Sequence, residues 1–106
     1  MDIQFKKGNL DLCVLHLLNK RDYYGYEISS IISHYIEIGE ITIYPILRKM
    51  QNERLLTYYL KESNDGPPRK YYKITLEGRA KYKLMKAEWE EFNKNLIRFF
   101  KGVDND

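Results

Sequence analysis

The side chains best suited to chemistry fall in two short cationic segments of the chain, residues 42–49 and 69–71. Hydroxyl groups can bond a phosphate or a base edge, and Arg can hold guanine or phosphate with two parallel hydrogen bonds. The two segments therefore predict a surface that contacts double-stranded DNA. The candidate contact residues are Thr42, Tyr44, Arg48, Lys49, Arg69, Lys70 and Tyr71.

The distribution of charge favours a polyanionic partner more than the total charge does. The chain of 106 residues has a formal net charge of +3, which is weak evidence alone. Residues 1–40 hold four basic and six acidic groups, whereas residues 41–80 hold eight basic and four acidic ones. A basic patch there would attract a polyanion and steer its approach, although an ordinary solvated surface can have the same composition.

The sequence lacks the signals of metal binding, catalysis and export. His16 and His34 stand apart from any Cys or paired-His spacing, so we expect no metal and no cofactor. No nucleophile–base signature or phosphate-binding Gly loop is present, which predicts that the protein is not an enzyme. The single Cys13 cannot form an internal disulfide and is expected to pack in the core. With no membrane-length apolar run and no signal-peptide pattern, the sequence favours the cytoplasm.

Three short amphipathic helices are predicted in the first half of the chain. Apolar residues recur at intervals of three and four over about residues 6–20, 24–35 and 42–53. This is the spacing of one buried face of a helix. Near the start of the second helix, Gly25 is expected to permit a close approach or an unusual dihedral angle.

The start of the third helix carries the first cationic segment. Thr42 is its expected N-cap, with Glu40 as the alternative, and Pro45 falls in the first turn, where its missing N–H does little harm. Tyr44 lies beside the apolar stripe, so that contact with DNA and packing in the core are equally open to it.

A β-hairpin is predicted to follow, with strands at residues 55–61 and 69–74 and a turn signal at residues 63–68. Its tip is flanked by cations. Tyr71 and Tyr72 would point to opposite faces of their strand, one inward and one outward.

A long fourth helix is predicted over about residues 76–101, with Thr75 as its N-cap. Its apolar residues are spaced 3, 4, 3, 4, 3, which is a heptad seam. Pairing with a second copy would bury this seam economically, and packing against the first helix of the same chain is the alternative. The seam residues are Tyr82, Met85, Trp89, Phe92, Leu96 and Phe99.

Three helices followed by a hairpin is the order of a winged helix-turn-helix, an α+β fold that is mainly α. We expect residues 1–75 to form the DNA-binding part and residues 76–106 to form a dimerisation helix, as one compact unit. In this fold the start of the third helix enters the major groove, and the cations of the wing contact a neighbouring backbone segment.

Three segments resemble the PadR-like family of transcriptional regulators: residues 24–28, 42–50 and 66–78. Their order and spacing match the family over about residues 8–100. The resemblance implies a dimeric repressor that binds a pseudo-palindromic operator, in the short form with a single C-terminal helix. Two positions where the family usually has Gly are occupied by Ile41 and Arg54.

The resemblance also implies a candidate small-molecule effector. Some relatives of this length hold a flat aromatic compound in a pore at the dimer interface, stacked on a Trp of the last helix. Trp89 is similarly placed, although simple packing in the seam would also explain it.

Two other functions compete with a DNA-binding regulator. The ten Tyr residues also suit a protein-interaction module, and Trp89 also suits a small-molecule binder that acts by sequestration. Tyr24 and Tyr26 are expected to support the contact between the first two helices instead of binding DNA. The two cationic segments favour DNA binding over both alternatives.

Overall fold

The computed structural model describes residues 8–106 and contains four α-helices and a three-stranded sheet within them. The mainly helical α+β fold predicted from the sequence is confirmed. Residues 6–7 of the predicted first helix lie outside the described part of the chain. The elements are α1 (Asn9–Lys20), β1 (Tyr23–Tyr24), α2 (Gly25–Tyr35), α3 (Ile43–Asn52), β2 (Leu56–Ser63), β3 (Gly66–Ile74) and α4 (Leu76–Asp104).

The first three helices meet around one apolar core. Val14 and Leu15 of α1, Ile28 of α2 and Leu47 of α3 are fully buried. Burial of an aliphatic side chain of this size contributes about 1.5–3 kcal/mol each relative to an exposed one. These contacts fix how α3 is held against α1 and α2. Cys13 is half-buried at the edge of this core, where burial raises the pKa of its thiol.

The end of α3 is closed by a Schellman motif in which Arg54 adopts the left-handed conformation. Its φ is 63°, a positive value that no other non-glycine residue in the range 8–106 adopts. The amide of Arg54 donates to the carbonyl of Gln51 at 3.0 Å, and the amide of Leu55 donates to that of Met50 at 2.9 Å. These bonds satisfy the last carbonyls of the helix. Arg54 thus takes the conformation expected of a glycine there.

The wing, which is formed by β2, β3 and the turn between them, belongs to a three-stranded antiparallel sheet in the order β1-β3-β2, and not to a two-stranded hairpin alone. In the added pairing, Tyr23–Tyr24 lie opposite Tyr71–Tyr72. Residue 24 was expected inside the second helix, but its backbone is extended and its amide donates to the Glu27 carboxylate at 3.1 Å. The helix therefore begins at Gly25.

The tip of the wing is tighter than its sequence predicted. Residues 64–65 form the turn, and residues 67–68 lie in β3 although the turn signal covered 63–68. Between the Lys61–Arg69 pair and the next pair toward the tip, β3 has one more residue than β2. Such a bulge accepts the two prolines, because they have no N–H to donate to the ladder.

Thr75 caps α4, as predicted. Its hydroxyl accepts a hydrogen bond from the Gly78 amide at 2.9 Å and lies 2.8 Å from the Arg54 carbonyl and 3.0 Å from the Leu55 carbonyl. The start of α4 is thereby fixed to the end of α3. The helix continues to Asp104, three residues further than predicted.

Only the first part of α4 packs on the rest of its own chain. A helix of 29 residues is about 43 Å long at ~1.5 Å per residue. The molecule measures 62 × 28 × 20 Å, since the second half of α4 projects from the body. Within residues 8–106, no helix combines the length and apolarity needed to cross a membrane.

Candidate nucleic-acid interface

The start of α3 is formed by two tight turns instead of a side-chain cap. The amide of Thr42 donates to the Gly39 carbonyl at 3.2 Å, and that of Tyr44 donates to the Ile41 carbonyl at 3.3 Å. Thr42 therefore already has helical dihedral angles, and its hydroxyl caps no amide of α3. Thr42 occupies the N-cap position, as predicted, but its side chain does not cap the helix, because the oxygen of a capping side chain reaches the N2 or N3 amide only from an extended backbone.

Tyr44 lies at the surface beside the start of α2. Its side chain is 38% exposed, so that it both contacts the body and faces solvent. A Cβ atom on Gly25 would lie only 2.8 Å from Cε1 of the Tyr44 ring. The predicted close approach at Gly25 is thus confirmed, and the group that approaches is the ring of Tyr44.

The two cations of α3 differ in their surroundings. Arg48 is exposed and forms no ion pair with another residue in the range 8–106. The ammonium group of Lys49 lies 2.6 Å from the Asp11 carboxylate of α1. This hydrogen bond raises the pKa of Lys49. Arg48 is therefore the cation of α3 that is available to a ligand.

Three tyrosines form a row across the outer face of the sheet. Tyr24, Tyr71 and Tyr59 are neighbours in β1, β3 and β2. Their ring centroids are 5.5 Å apart for Tyr24 and Tyr71 and 5.8 Å apart for Tyr71 and Tyr59. Tyr26 stacks on the end of this tyrosine row, 6.5 Å from Tyr24. Tyr72 is buried on the opposite face, which confirms that the two adjacent tyrosines of β3 point in opposite directions.

Cations lie over the rings on both faces of the sheet. The Arg69 guanidinium is 4.7 Å from the centre of the Tyr24 ring, and the Lys61 ammonium is 5.2 Å from that of Tyr71. Lys70 lies 4.0 Å from the centre of the Tyr58 ring on the other face. Cation–π contacts of this kind orient a cation while its charge still faces solvent. The cations at the tip of the wing are therefore divided between two faces.

The start of α3 and the tyrosine row are neighbours in the structure. Tyr44 lies against Gly25, the residue that directly follows Tyr24 in the chain. Tyr24, which was expected to support the contact between the first two helices, lies in β1, and its ring packs at a tilt against that of Tyr71. The start of α3 thus lies next to the strand that carries one end of the tyrosine row.

Tyr24 and Tyr59 belong to the tyrosine row and Lys61 lies over it, but all three were missing from the candidates predicted from the sequence. The alternation of β2 places Tyr59 and Lys61 on one face, a signal that was present in the sequence. The pairing with Tyr71 that brings them beside the other candidates depends on the register of the sheet.

The six seam residues of α4 fall into two groups. Tyr82 is buried in its own chain, with its hydroxyl 2.5 Å from Nδ1 of His16, and Met85 packs at the edge of the core. The four residues further along the helix remain exposed by between 37% and 66% of their surface: Trp89, Phe92, Leu96 and Phe99. The contact of α4 with α1 therefore uses only the first third of the seam.

An apolar groove of about 530 Å³ lies between α1, α2 and the middle of α4. Cys13 and Ile32 form part of its lining, and Trp89 stands at its border with the projecting half of α4. His16 and Lys86 are polar groups on its wall. Burial lowers the pKa of His16, and the nearby positive charges of Lys20 and Lys86 lower it further.

Comparisons with known proteins agree with this architecture. The sequence model of the Transcriptional regulator PadR-like family matches residues 14–84. An uncharacterized protein from Lysinibacillus sphaericus is 33% identical over 102 residues, covering 92% of this chain and 94% of that protein.

Solved structures of PadR-like regulators have the same fold. A regulator from Bacillus cereus is 34% identical and superposes with a TM-score of 0.83, covering 92% of this chain and 96% of its own. A PadR-like transcription factor from Bacteroides fragilis is 36% identical, with a TM-score of 0.77 and coverage of 91% and 94%. These relatives are transcription regulators and not enzymes. The family match, the sequence identity and the shared fold together establish that this chain belongs to the PadR-like family of transcriptional regulators.

Proposed function

We propose that this protein is a dimeric repressor that binds a pseudo-palindromic operator and is released from it by a small-molecule effector. The observation that carries the DNA-binding part is the contact of Tyr44 with Gly25. Through this contact the start of α3 lies beside the strand at one end of the tyrosine row, which supports the proposal that both contact the same DNA. Membership of a DNA-binding regulator family supports the same conclusion.

In this proposal α3 enters the major groove. Thr42 and Tyr44 would face base edges or phosphates near the start of the helix, and Arg48 would hold guanine or a phosphate. Arg69 and Lys61, on the outer face of the wing, would contact the sugar–phosphate backbone. Contacts of the latter kind position a protein on DNA without reading its sequence.

The exposed half of α4 supports dimerisation. Four large apolar side chains of the seam face solvent in the single chain, and a second copy would cover them. We propose that residues 76–106 pair the two copies and that residues 1–75 bind DNA, with half-sites about 34 Å apart along the duplex. A regulator of bacterial genes would act in the cytoplasm.

The groove beside Trp89 supports an effector. Its volume of about 530 Å³ lies within the range of roughly 300–1,000 Å³ typical of small-molecule sites. Its apolar lining and the indole of Trp89 suit a flat aromatic compound. An effector that binds one dimer geometry better than another would change the separation of the two α3 helices and hence the affinity for DNA.

The test is binding of the purified protein to the DNA upstream of its own gene, measured by fluorescence anisotropy across salt concentrations. The logarithm of the affinity should fall steeply with that of the salt concentration, by about 0.9 for each neutralised phosphate. Arg48→Ala should weaken binding, whereas Lys94→Ala on the projecting half of α4 should not. A salt-insensitive affinity, or an Arg48→Ala variant that binds like the wild type, would refute DNA binding at this surface.

Repression and release need a separate measurement. Transcription from the same promoter in vitro should fall when the protein is added and recover with a flat aromatic ligand that quenches Trp89 fluorescence. Increased transcription on adding the protein would identify an activator. Quenching without any change in DNA affinity would favour sequestration over regulation by an effector.

A further inference from the structure

The ion pair between Lys49 and Asp11 points to a role for Lys49 that differs from that of its neighbour Arg48. We propose that Lys49 is a positioning residue: its ammonium group holds α3 against α1 through Asp11 and neutralises no DNA phosphate. The inference rests on the proposed function, since it divides the two cations of the DNA-facing helix between two tasks.

The geometry of the pair supports this assignment. The Lys49 Nζ atom lies 2.6 Å from Oδ2 of Asp11, a charge-assisted hydrogen bond between two different helices. The Asp11 side chain is only 16% exposed, whereas that of Lys49 is 49% exposed. Asp11 also lies in the first turn of α1, where the helix dipole favours a negative charge. The carboxylate is therefore held in place, and the flexible lysine reaches it.

The electrostatics of DNA binding lead to the same conclusion. For Lys49 to contact a phosphate, its ammonium group would have to leave Asp11. The released carboxylate, with a mostly covered side chain and no other ion pair among residues 8–106, would then face a polyanion. Repulsion between the carboxylate and the phosphates would offset the new contact. Arg48 has no such partner, so its full charge is available.

The first experiment compares the salt dependence of operator binding for wild type, Lys49→Met and Arg48→Met. Both variants remove one cation and keep most of the aliphatic stem. Arg48→Met should reduce the slope of log affinity against log salt by about 0.9, the value for one phosphate. Lys49→Met should lower the overall affinity, because it leaves the Asp11 carboxylate unpaired beside the DNA, but should change the slope by clearly less than Arg48→Met, since no phosphate contact is lost. A slope reduced by Lys49→Met as much as by Arg48→Met would overturn the inference.

A charge reversal separates pairing from direct contact. Lys49→Glu should weaken operator binding at least tenfold, since two carboxylates would then face each other beside the DNA. Adding Asp11→Lys restores a pair of opposite charges, so the double variant should recover most of the affinity. If Lys49 touches phosphate instead, the double variant should bind no better than Lys49→Glu.

A third measurement does not depend on DNA. Thermal unfolding of Asp11→Asn, Lys49→Met and their double variant should give non-additive shifts of the midpoint, with the double variant close to either single one. If the wild-type protein binds no operator, the repressor proposal fails, and these midpoints still test the pairing. Additive shifts would show that the two side chains are not coupled and would overturn the inference.

Discussion

Gly78 lies in the first turn of α4, directly against the backbone carbonyl of Leu55. A Cβ atom placed on Gly78 would lie 2.7 Å from the Cγ1 atom of Ile74. Gly78→Ala should lower the free energy of unfolding by about 2–3 kcal/mol, because a backbone group cannot move aside as a side chain can. Urea denaturation measures the change. Gly102→Ala is the matched control: a Cβ there meets nothing within 4 Å, and the variant should gain about 0.5–1 kcal/mol from helix propensity.

Arg54 is a residue at which a substitution should increase the stability of the fold. Its left-handed backbone costs an L-residue with a Cβ about 1–2 kcal/mol, a cost that glycine avoids. Arg54→Gly should therefore raise the free energy of unfolding by about 1 kcal/mol after allowance for the greater freedom of the unfolded chain. Arg54→Ala keeps the Cβ and should not gain stability. Equal effects of the two substitutions in chemical denaturation would refute strain at this position.

His16 makes the stability depend on pH. Its pKa lies below the ordinary value of 6.5, because burial and the charges of Lys20 and Lys86 favour the neutral ring. The contribution of the neutral His16 ring to the stability of the folded state is fully present above pH 6.5. It is lost as the pH falls from 6.5 through the lower pKa of the folded state. His16→Gln should therefore lose less stability than the wild type between pH 7 and pH 5. The urea midpoints of both should be compared with those of His34→Gln, a change at an exposed histidine; parallel curves for all three would contradict this account.

The strands of the wing place its cations on opposite faces of the sheet. Arg69 lies on the face that carries the tyrosine row, and Lys70 lies over Tyr58 on the other. We expect Arg69→Ala to weaken operator binding more than Lys70→Ala and to reduce the salt slope by about 0.9. Anisotropy titrations at several salt concentrations measure both. A larger effect of Lys70→Ala would indicate that the opposite face of the wing meets the DNA.

The helices were easier to predict than the strands. The apolar stripes of α1, α2 and α3 repeat every three or four residues, and the structure buries most of their residues. Tyr35, which was expected to end the buried stripe of α2, is instead 81% exposed, because it is the last residue of the helix and no other element within residues 8–106 covers it. Strand β1 has only two residues, too few for an alternation to be recognised. The prolines at 67 and 68 read as turn residues, and only the bulge that contains them explains why they lie in a strand.

We expect the projecting half of α4 to decide the assembly of the protein. Trp89→Asp or Leu96→Asp would place a charge in the exposed apolar seam and should convert a dimer to a monomer, with weaker operator binding as the result. Light scattering coupled to size-exclusion chromatography measures the mass. Ala87→Asp adds the same charge at a position outside the seam and should leave the mass unchanged. If all three variants keep the wild-type mass, the seam is not the interface.

The amino-acid pattern was enough to predict the helices, the hairpin and the N-cap at Thr75. These depend on local periodicity, capping and turn chemistry, which act between residues close together in the chain. The tertiary structure decided which side chains share a surface. The register of the sheet brings Tyr24 beside Tyr71, and the packing of α3 near α1 brings Lys49 beside Asp11. The residues of each pair are 38 or more positions apart in the chain. Packing sets such distances, and no short segment of sequence contains them.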